Sequence, residues 1–293
     1  MTVSRRVFMG VAASAWVATR ERASAAGGSP QLLVFSKHFP DLNYEELGKT
    51  AKELGFDGVD LTVRPKGHVL PERVAEDLPR AVETLRKHGL IVPMITTELT
   101  SAADPAAIPT LRAAASLGIP FFKPGYWKYT AEPIEARVKE VAADVRRLAM
   151  LAGEHSIAMG LHNHSGPYVG EAVWDTWQMI HDLDPRWTGF YYDPGHAAIE
   201  GGLGGHDVTL RLALPRLKMV AVKDFIWRKE AGGWKSVWCP MGEGAVDWGA
   251  AFGALKRANY SGPISVHVEY QTKDMVAAMR KDLAFVRSAM EAA

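Results

Sequence analysis

The chain has 293 residues, of which 47% are hydrophobic and 23% charged, and a formal net charge of +1. Its first 25 residues carry four Arg and one Glu; without them 30 basic side chains face 32 acidic ones, a net −2. That is ordinary composition for a globular domain, and a near-neutral body lacks the basic footprint that a sequence-independent hold on nucleic acid requires.

The chain opens on "SRRVFMGVAASAWVATRERASAA", with an Arg pair at Arg5 and Arg6, a short apolar stretch and small residues at Ala23–Ala25. Such a segment reads as an export signal rather than as structure, and the Arg pair before Val7-Phe8 resembles a twin-arginine signal. Residues 1–26 are therefore expected to be a signal for the twin-arginine export machinery. Residues 27–293 are expected to form one domain working in the periplasm. The apolar run is far short of the ~20 residues of a membrane span, and Cys239, the lone cysteine, permits no internal disulfide.

Apolar, strand-like runs follow at Leu32–Ser36, Gly58–Val63, Ile91–Thr96, Pro120–Lys123, Ile157–His162, Thr188–Asp193, Lys218–Lys223 and Pro263–Glu269. Helix-like stretches lie between them. Asn43 and Glu46 have the spacing of a capping box, and the helix they open ends on Gly55. Ile134, Val138, Val141, Val145 and Leu148 recur at three and four, one helical stripe. Further helical patterns fall near 71–88, 105–117, 171–183, 207–213, 246–258 and 273–292. Eight strands alternating with eight helices predict a (β/α)8 TIM barrel. The competing doubly wound sheet would show a Gly-rich turn after the first strand, and "SKHFPDLN" is not one. The longest break, 225–245, contains "AGGW", a hairpin turn, and is expected to lie over the barrel mouth.

In such barrels the chemistry sits at the C-terminal ends of the strands, and residues two apart in a strand share a face. Strand two offers Asp60, Thr62 and Arg64, then His68; strand three Thr96 and Glu98; strand four Lys123, then Tyr126, Trp127 and Tyr129. Strand five offers His162 and His164, strand six Asp193 with His196 beyond it, strand seven Lys223, and strand eight Ser265, His267 and Glu269. Ionisable groups on seven strands at one end point to a convergent site. Taken singly, each has a plainer reading: His164 as a helix cap, His68 as a solvated ring, Lys123 and Lys223 as ion-pair partners, and Trp227, Trp234 and Trp238 as loop packing. Taken together, buried imidazole and carboxylate need partners, and a divalent metal supplies one for all.

The order "LHNH", "DPGH", "VKD", "GEGAVDW" and "GPISVHVEY" resembles the xylose isomerase-like TIM-barrel superfamily of sugar isomerases and epimerases. "GFDGVDLTVRPKGHVLPE" resembles strand two of its exported sugar phosphate isomerase/epimerase branch. The resemblance implies metal ligands from strands five to eight in the order Glu, Asp, His, Glu. These positions fall on His162, Asp193, Ala221 and His267, with Glu269 one inward step later. Only the Asp is kept, so the expected ligands of one divalent ion are His162, Asp193, His267 and Glu269, with His196 as rival for the fourth place. A set richer in imidazole favours Mn, Co or Zn over Mg.

The expected activity is metal-dependent isomerisation or epimerisation of a free sugar or sugar derivative through an enediolate. Glu98 or Glu269 would act as base and Lys223 as oxyanion stabiliser, with Arg64, His68, Lys123, Trp127, His164 and His196 contacting substrate. Departure of a β-substituent from the same enediolate would make a lyase or dehydratase, for example on a 3-keto-glycoside. A non-catalytic sugar-binding barrel is the remaining alternative, because Ala221 removes an expected ligand. A phosphodiesterase like endonuclease IV would need three metals and a basic DNA face.

Overall fold

The computed structural model describes residues 28–293, and the export signal read at 1–26 lies outside the described residues. Eight parallel strands close a barrel: β1 Gln31–Phe35, β2 Gly58–Val63, β3 Ile91–Thr97, β4 Phe121–Lys123, β5 Ala158–His162, β6 Thr188–Tyr192, β7 Leu217–Val222 and β8 Pro263–Val266. Each pairs with the next, and β8 returns to β1 through Gln31↔Pro263 to Val34↔Val266. The helices between them are α1 Tyr44–Leu54, α2 Val74–Lys87, α3 Ala107–Ser116, α4 Ile134–Glu154, α5 Val173–Ile180, α6 Pro194–Ala213, α7 Trp248–Arg257 and α8 Met275–Ala292. The fold is the (β/α)8 TIM barrel that the alternation predicts.

Strand parity divides the core in two. Leu33, Met94, Tyr191, Met219 and Ala221 fill the barrel interior, and Val34, Leu61, Ile95, Val220 and Val266 face the helices with the larger apolar set. The capping box is present: Asn43 Oδ1 accepts the Glu45 and Glu46 N–H groups, and Glu46 Oε2 accepts the Asn43 N–H. Gly55 ends α1 at φ 94°, a left-handed conformation that glycine adopts without a Cβ penalty. In α4 the stripe buries Val141, Val145 and Leu148, while Ile134 starts the helix exposed.

One helix differs from the sequence expectation, and the 225–245 segment forms the hairpin read at "AGGW". The sixth helix begins at Pro194 and not near 207, and is broken at Gly202, φ 64°. Four glycines in its middle hide it from propensity reasoning. The segment after β7 is a two-stranded antiparallel hairpin, Asp224–Glu230 with Gly233–Cys239, that turns at Ala231-Gly232. Among the described residues no helix is long and apolar enough to cross a membrane.

Candidate active site

The mouth is assembled where β4 to β8 end. On β5, His162 is buried and its Nδ1 lies 3.1 Å from the Tyr191 carbonyl. A carbonyl only accepts, so Nδ1 carries the proton and Nε2 is left bare, 3.8 Å from Asp193 Oδ2. Asn163, on the opposite parity, donates to the Asp193 carbonyl at 3.0 Å and accepts its N–H at 2.8 Å. The middle residue of "HNH" thus staples the ends of β5 and β6 together, while the histidines beside it face the mouth.

The "DPGH" step places the next two groups. Asp193 caps α6 by accepting the His196 N–H at 3.0 Å, and Pro194 starts the helix. A Cβ on Gly195 would meet the Lys223 carbonyl at 2.6 Å, so only glycine lets this turn lie against the end of β7. One ligand atom each of His162, Asp193 and His196 then lies within 4.8 Å of the others. His196 Nε2 is buried without a hydrogen-bond partner, and Asp193 Oδ2 is buried in an ion pair with the Lys223 ammonium at 3.0 Å. Burial pushes the Asp193 carboxyl above its ordinary pKa, with Lys223 the first of the groups that hold it back. His162 and His196 are held well below the usual imidazole range by burial and then by Lys223.

Around this group lie His164, 4.1 Å from the His196 ring, and Tyr126, 5.0 Å from His164 with the Lys123 ammonium nitrogen 3.4 Å from its ring centre. Burial and then Arg64 lower Lys123 well below its ordinary pKa. Trp238 of the hairpin stands edge-on to His196 at 4.9 Å.

The β8 side is built differently. Asp60, fully buried, accepts the hydroxyls of Thr96, Tyr191 and Ser265. Burial raises it to about 6 against those three bonds. Both hydroxyls within reach of His267 Nε2, those of Tyr191 (3.2 Å) and Ser265 (3.1 Å), thereby donate to Asp60. Nε2 is left to donate to them. His267 also stacks on Phe35 at 4.5 Å, 6.4 Å from the His162 ring. Parity holds here: Val266 and Val268 pack with the helix-side core, His267 faces inward. Glu269 reaches the rim, where it pairs with Lys37 at 2.9 Å. Burial favours its protonated form, but Lys223 and Lys37 outweigh that and lower its pKa.

Of the ligands expected from sequence, the structure brings His162 and Asp193 together and adds His196. His267 and Glu269 do not join them, because the first ring donates into the Asp60 network and the second carboxylate is taken by Lys37. Ala221 is a buried interior residue and offers no ligand atom. Trp127 is 6% exposed with its indole N–H on the Thr100 carbonyl at 3.2 Å; it packs in the core, and its neighbour Tyr126, of opposite parity, is the aromatic at the mouth. His68 Nδ1 lies 3.3 Å from Thr62 Oγ1, beside β2. Arg64 lies 5.9 Å from the Phe35 ring and 4.0 Å from Glu98, whose side chain is 55% exposed. Sequence reasoning passed over Lys37, His38, Ser165 and Tyr191. Lys37 and His38 follow the first strand at the same mouth position as the others, and that place in the order is the signal that marks them.

A divalent ion fits the first group. His162 presents a bare Nε2 with its other nitrogen on a carbonyl, the usual tautomer of a ligating ring, and Asp193 Oδ2 faces the same space with the Lys223 ammonium 3.0 Å away. His196 Nδ1 is reached by the Ser165 N–H (3.1 Å) and Oγ (2.8 Å). With the N–H donating, the ring proton sits on Nε2; ligation there moves it to Nδ1, where Ser165 Oγ can accept it.

A closed barrel with ionisable groups gathered at the strand C-termini is the architecture of an enzyme-bearing TIM barrel. The chain belongs to the xylose isomerase-like TIM barrel family, whose model matches residues 49–289. An inosose dehydratase of Bacillus velezensis is 27% identical over 136 residues, 43% of this chain, and the match spans only 45% of that relative's length. The structure of a 3-keto-D-glucoside 4-epimerase from E. coli superposes with a TM-score of 0.70 at 18% identity, covering 89% of this chain and all of the other. A xylose isomerase-like TIM barrel protein from Mycobacterium smegmatis, in complex with magnesium, gives 0.66 at 16% identity, covering 91% and 99%.

Proposed function

We propose that the chain is a divalent-metal-dependent sugar isomerase or epimerase, acting on a free sugar or sugar derivative through an enediolate. The observation that carries it is the convergence of one ligand atom each of His162, Asp193 and His196 beside Lys223, with His196 Nε2 buried and unpartnered. His162, Asp193 and His196 would hold the ion, and their nitrogen-rich set favours Mn, Co or Zn. The bound ion would polarise a substrate carbonyl and so acidify the neighbouring C–H.

The rest falls to the chain. Lys223 faces the oxygen on which charge grows and stabilises it. Glu269, partly buried and held ionised by Lys37 and Lys223, takes the proton; Glu98, more exposed beside Arg64, is the alternative base. Tyr126 and His164 cover the sugar, and Lys123 and Arg64 reach its hydroxyls. Return of the proton to the opposite face gives the epimer. The inosose dehydratase relative favours a second outcome at the same site, loss of a β-hydroxyl in place of proton return. No Gly-rich phosphate cradle stands in the sequence, which favours an unphosphorylated substrate, as does the proposed export through the twin-arginine route.

The test is metal content followed by proton exchange. Purified chain reconstituted with Mn, Co or Zn should carry about one ion, and a panel of ketoses and 3-keto-glycosides in D2O should show deuterium entering beside the carbonyl. Protein that folds but takes up none of the three metals defeats the reading. An alkene or enol product without exchange assigns the chain to the dehydratases.

A further inference from the structure

The hairpin that follows β7 carries an aromatic face that the chemistry above does not use. Its register pairs Phe225↔Trp238, Trp227↔Ser236 and Lys229↔Trp234, and directly opposed residues in a hairpin share a face. Phe225, Trp227, Trp234 and Trp238 therefore lie on one side. Ile226, Arg228, Glu230, Lys235 and Val237 lie on the other, where Glu230 and Lys235 pair at 2.8 Å. The aromatic side starts inside the mouth: Trp238 is 4.9 Å from His196 and 5.1 Å from the Lys223 ammonium. It continues through Phe225, 6.4 Å from Trp238, to Trp227, 5.6 Å further. Trp234 extends it toward the tip. Phe225 is buried, but Trp227 is 46% and Trp234 66% exposed.

We propose that this face is a sugar-binding arm, holding the second ring of a glycoside whose first ring sits against His162, Asp193 and His196. The proposal rests on the reading of the mouth as a sugar-processing site and narrows its substrate from a monosaccharide to a glycoside. The chemistry of the strip selects the ligand. A sugar ring has an apolar face of C–H bonds and a rim of hydroxyls. Indole faces take the first, and Lys229 and Ser236, interleaved with the tryptophans, take the second. Four residues of strand from the base to the tip span about 13 Å, longer than one ring. A protein partner fits poorly: the strip is two strands wide and interrupted by Lys229 and Ser236, far below the ~800 Å² that each side of a stable interface buries. Its inner end also runs into the pocket, where a protein surface cannot follow.

The experiment uses the whole chain from residue 27 and reads tryptophan indole N–H resonances, assigned by Trp227→Phe and Trp234→Phe. The probes are glucose, cellobiose, maltose and p-nitrophenyl glucoside. Either disaccharide or the aryl glycoside should shift both indoles and bind about tenfold or more tighter than glucose, the gain expected from two stacking contacts. Trp227→Ala/Trp234→Ala should bring that affinity to within about twofold of glucose. Both residues are exposed, so circular dichroism of the double variant should match the parent. Indoles unmoved by any of the glycosides, or equal affinity for one ring and two, overturn the proposal. So does a dimer abolished by the double variant with sugar affinity intact, which assigns the face to a second copy. These readouts register binding alone; failure of the enzymatic reading shows separately, as absent deuterium exchange in the parent chain.

Discussion

At the scale of single residues, the mouth is governed by which nitrogen of each histidine carries its proton, and that is set by neighbours. The Tyr191 carbonyl prepares His162 as a ligand, whereas the Ser165 N–H leaves His196 one proton transfer short of being one. Ser165 Oγ, 2.8 Å from Nδ1, is the group that takes up the altered hydrogen bond. Ser165→Ala removes that acceptor and should weaken metal binding about 10- to 100-fold, the usual cost of losing a group that orients a ligand. Calorimetric titration with Zn or Mn reads the loss, and an affinity equal to the parent's would show that His196 binds without it. His162→Ala removes the best-prepared ligand and should abolish binding altogether.

At the scale of elements, the loop between the hairpin and α7 hangs on one carboxylate. Asp224 accepts the backbone N–H groups of Phe225, Gly242, Gly244 and Val246, and the indole N–H of Trp248. This is the structural content of "VKD" and "GEGAVDW": the Asp is a hub, and a Cβ on Gly244 would collide with its carboxylate. Asp224→Ala strands those donors in a buried setting and should cost about 3–5 kcal/mol, read as a fall in the urea midpoint. A loss under about 1 kcal/mol would mean that water replaces the carboxylate. The strands were legible because apolar runs at regular spacing need only local reading, and their shared end marked the mouth. What could not be read was partnership. Glu269 meets Lys37 across 232 residues, and His267 is turned into the barrel by Asp60, more than half the chain away. No spacing encodes such meetings. The sixth helix escaped because Asp193 and Pro194 start it strongly while its glycines give no periodic signal.

At the scale of the whole molecule, burying so many imidazoles ties stability to pH. In the metal-free protein burial lowers His38 and His164 to about 4 from 6.5, and shifts His162, His196 and His267 the same way. Below pH 6.5 the unfolded chain therefore takes up protons that the folded one refuses, and stability falls until the folded rings titrate. Asp60 and Asp282 work in the opposite direction. Their folded carboxyls take protons at about 6, against 3.8 when unfolded, so acidification through that window adds stability. Each group contributes about 1.4 kcal/mol per pH unit inside its window; Asp175, Asp193 and Glu200 are raised as well and His68 and His206 lowered, so seven rings stand against five carboxyls. The urea midpoint should fall between pH 7 and pH 5; a rise would mean that the rings are solvated in the native state.

Closure of the barrel has a consequence for how the molecule comes into being. β1 leaves the ribosome before every other strand of the barrel, yet the strand that covers its free edge, β8, ends at Val266. Until then the nascent chain holds a curved open sheet with bare backbone groups along two edges, the arrangement that invites pairing with other chains. The final seam joins the most distant parts of the sequence and so forms slowly. A chain stopped after Gly262 should collapse without a cooperative unfolding transition and aggregate. Completion of the native state thus waits on the last strand, and any helper that guards this protein has its task set by one seam.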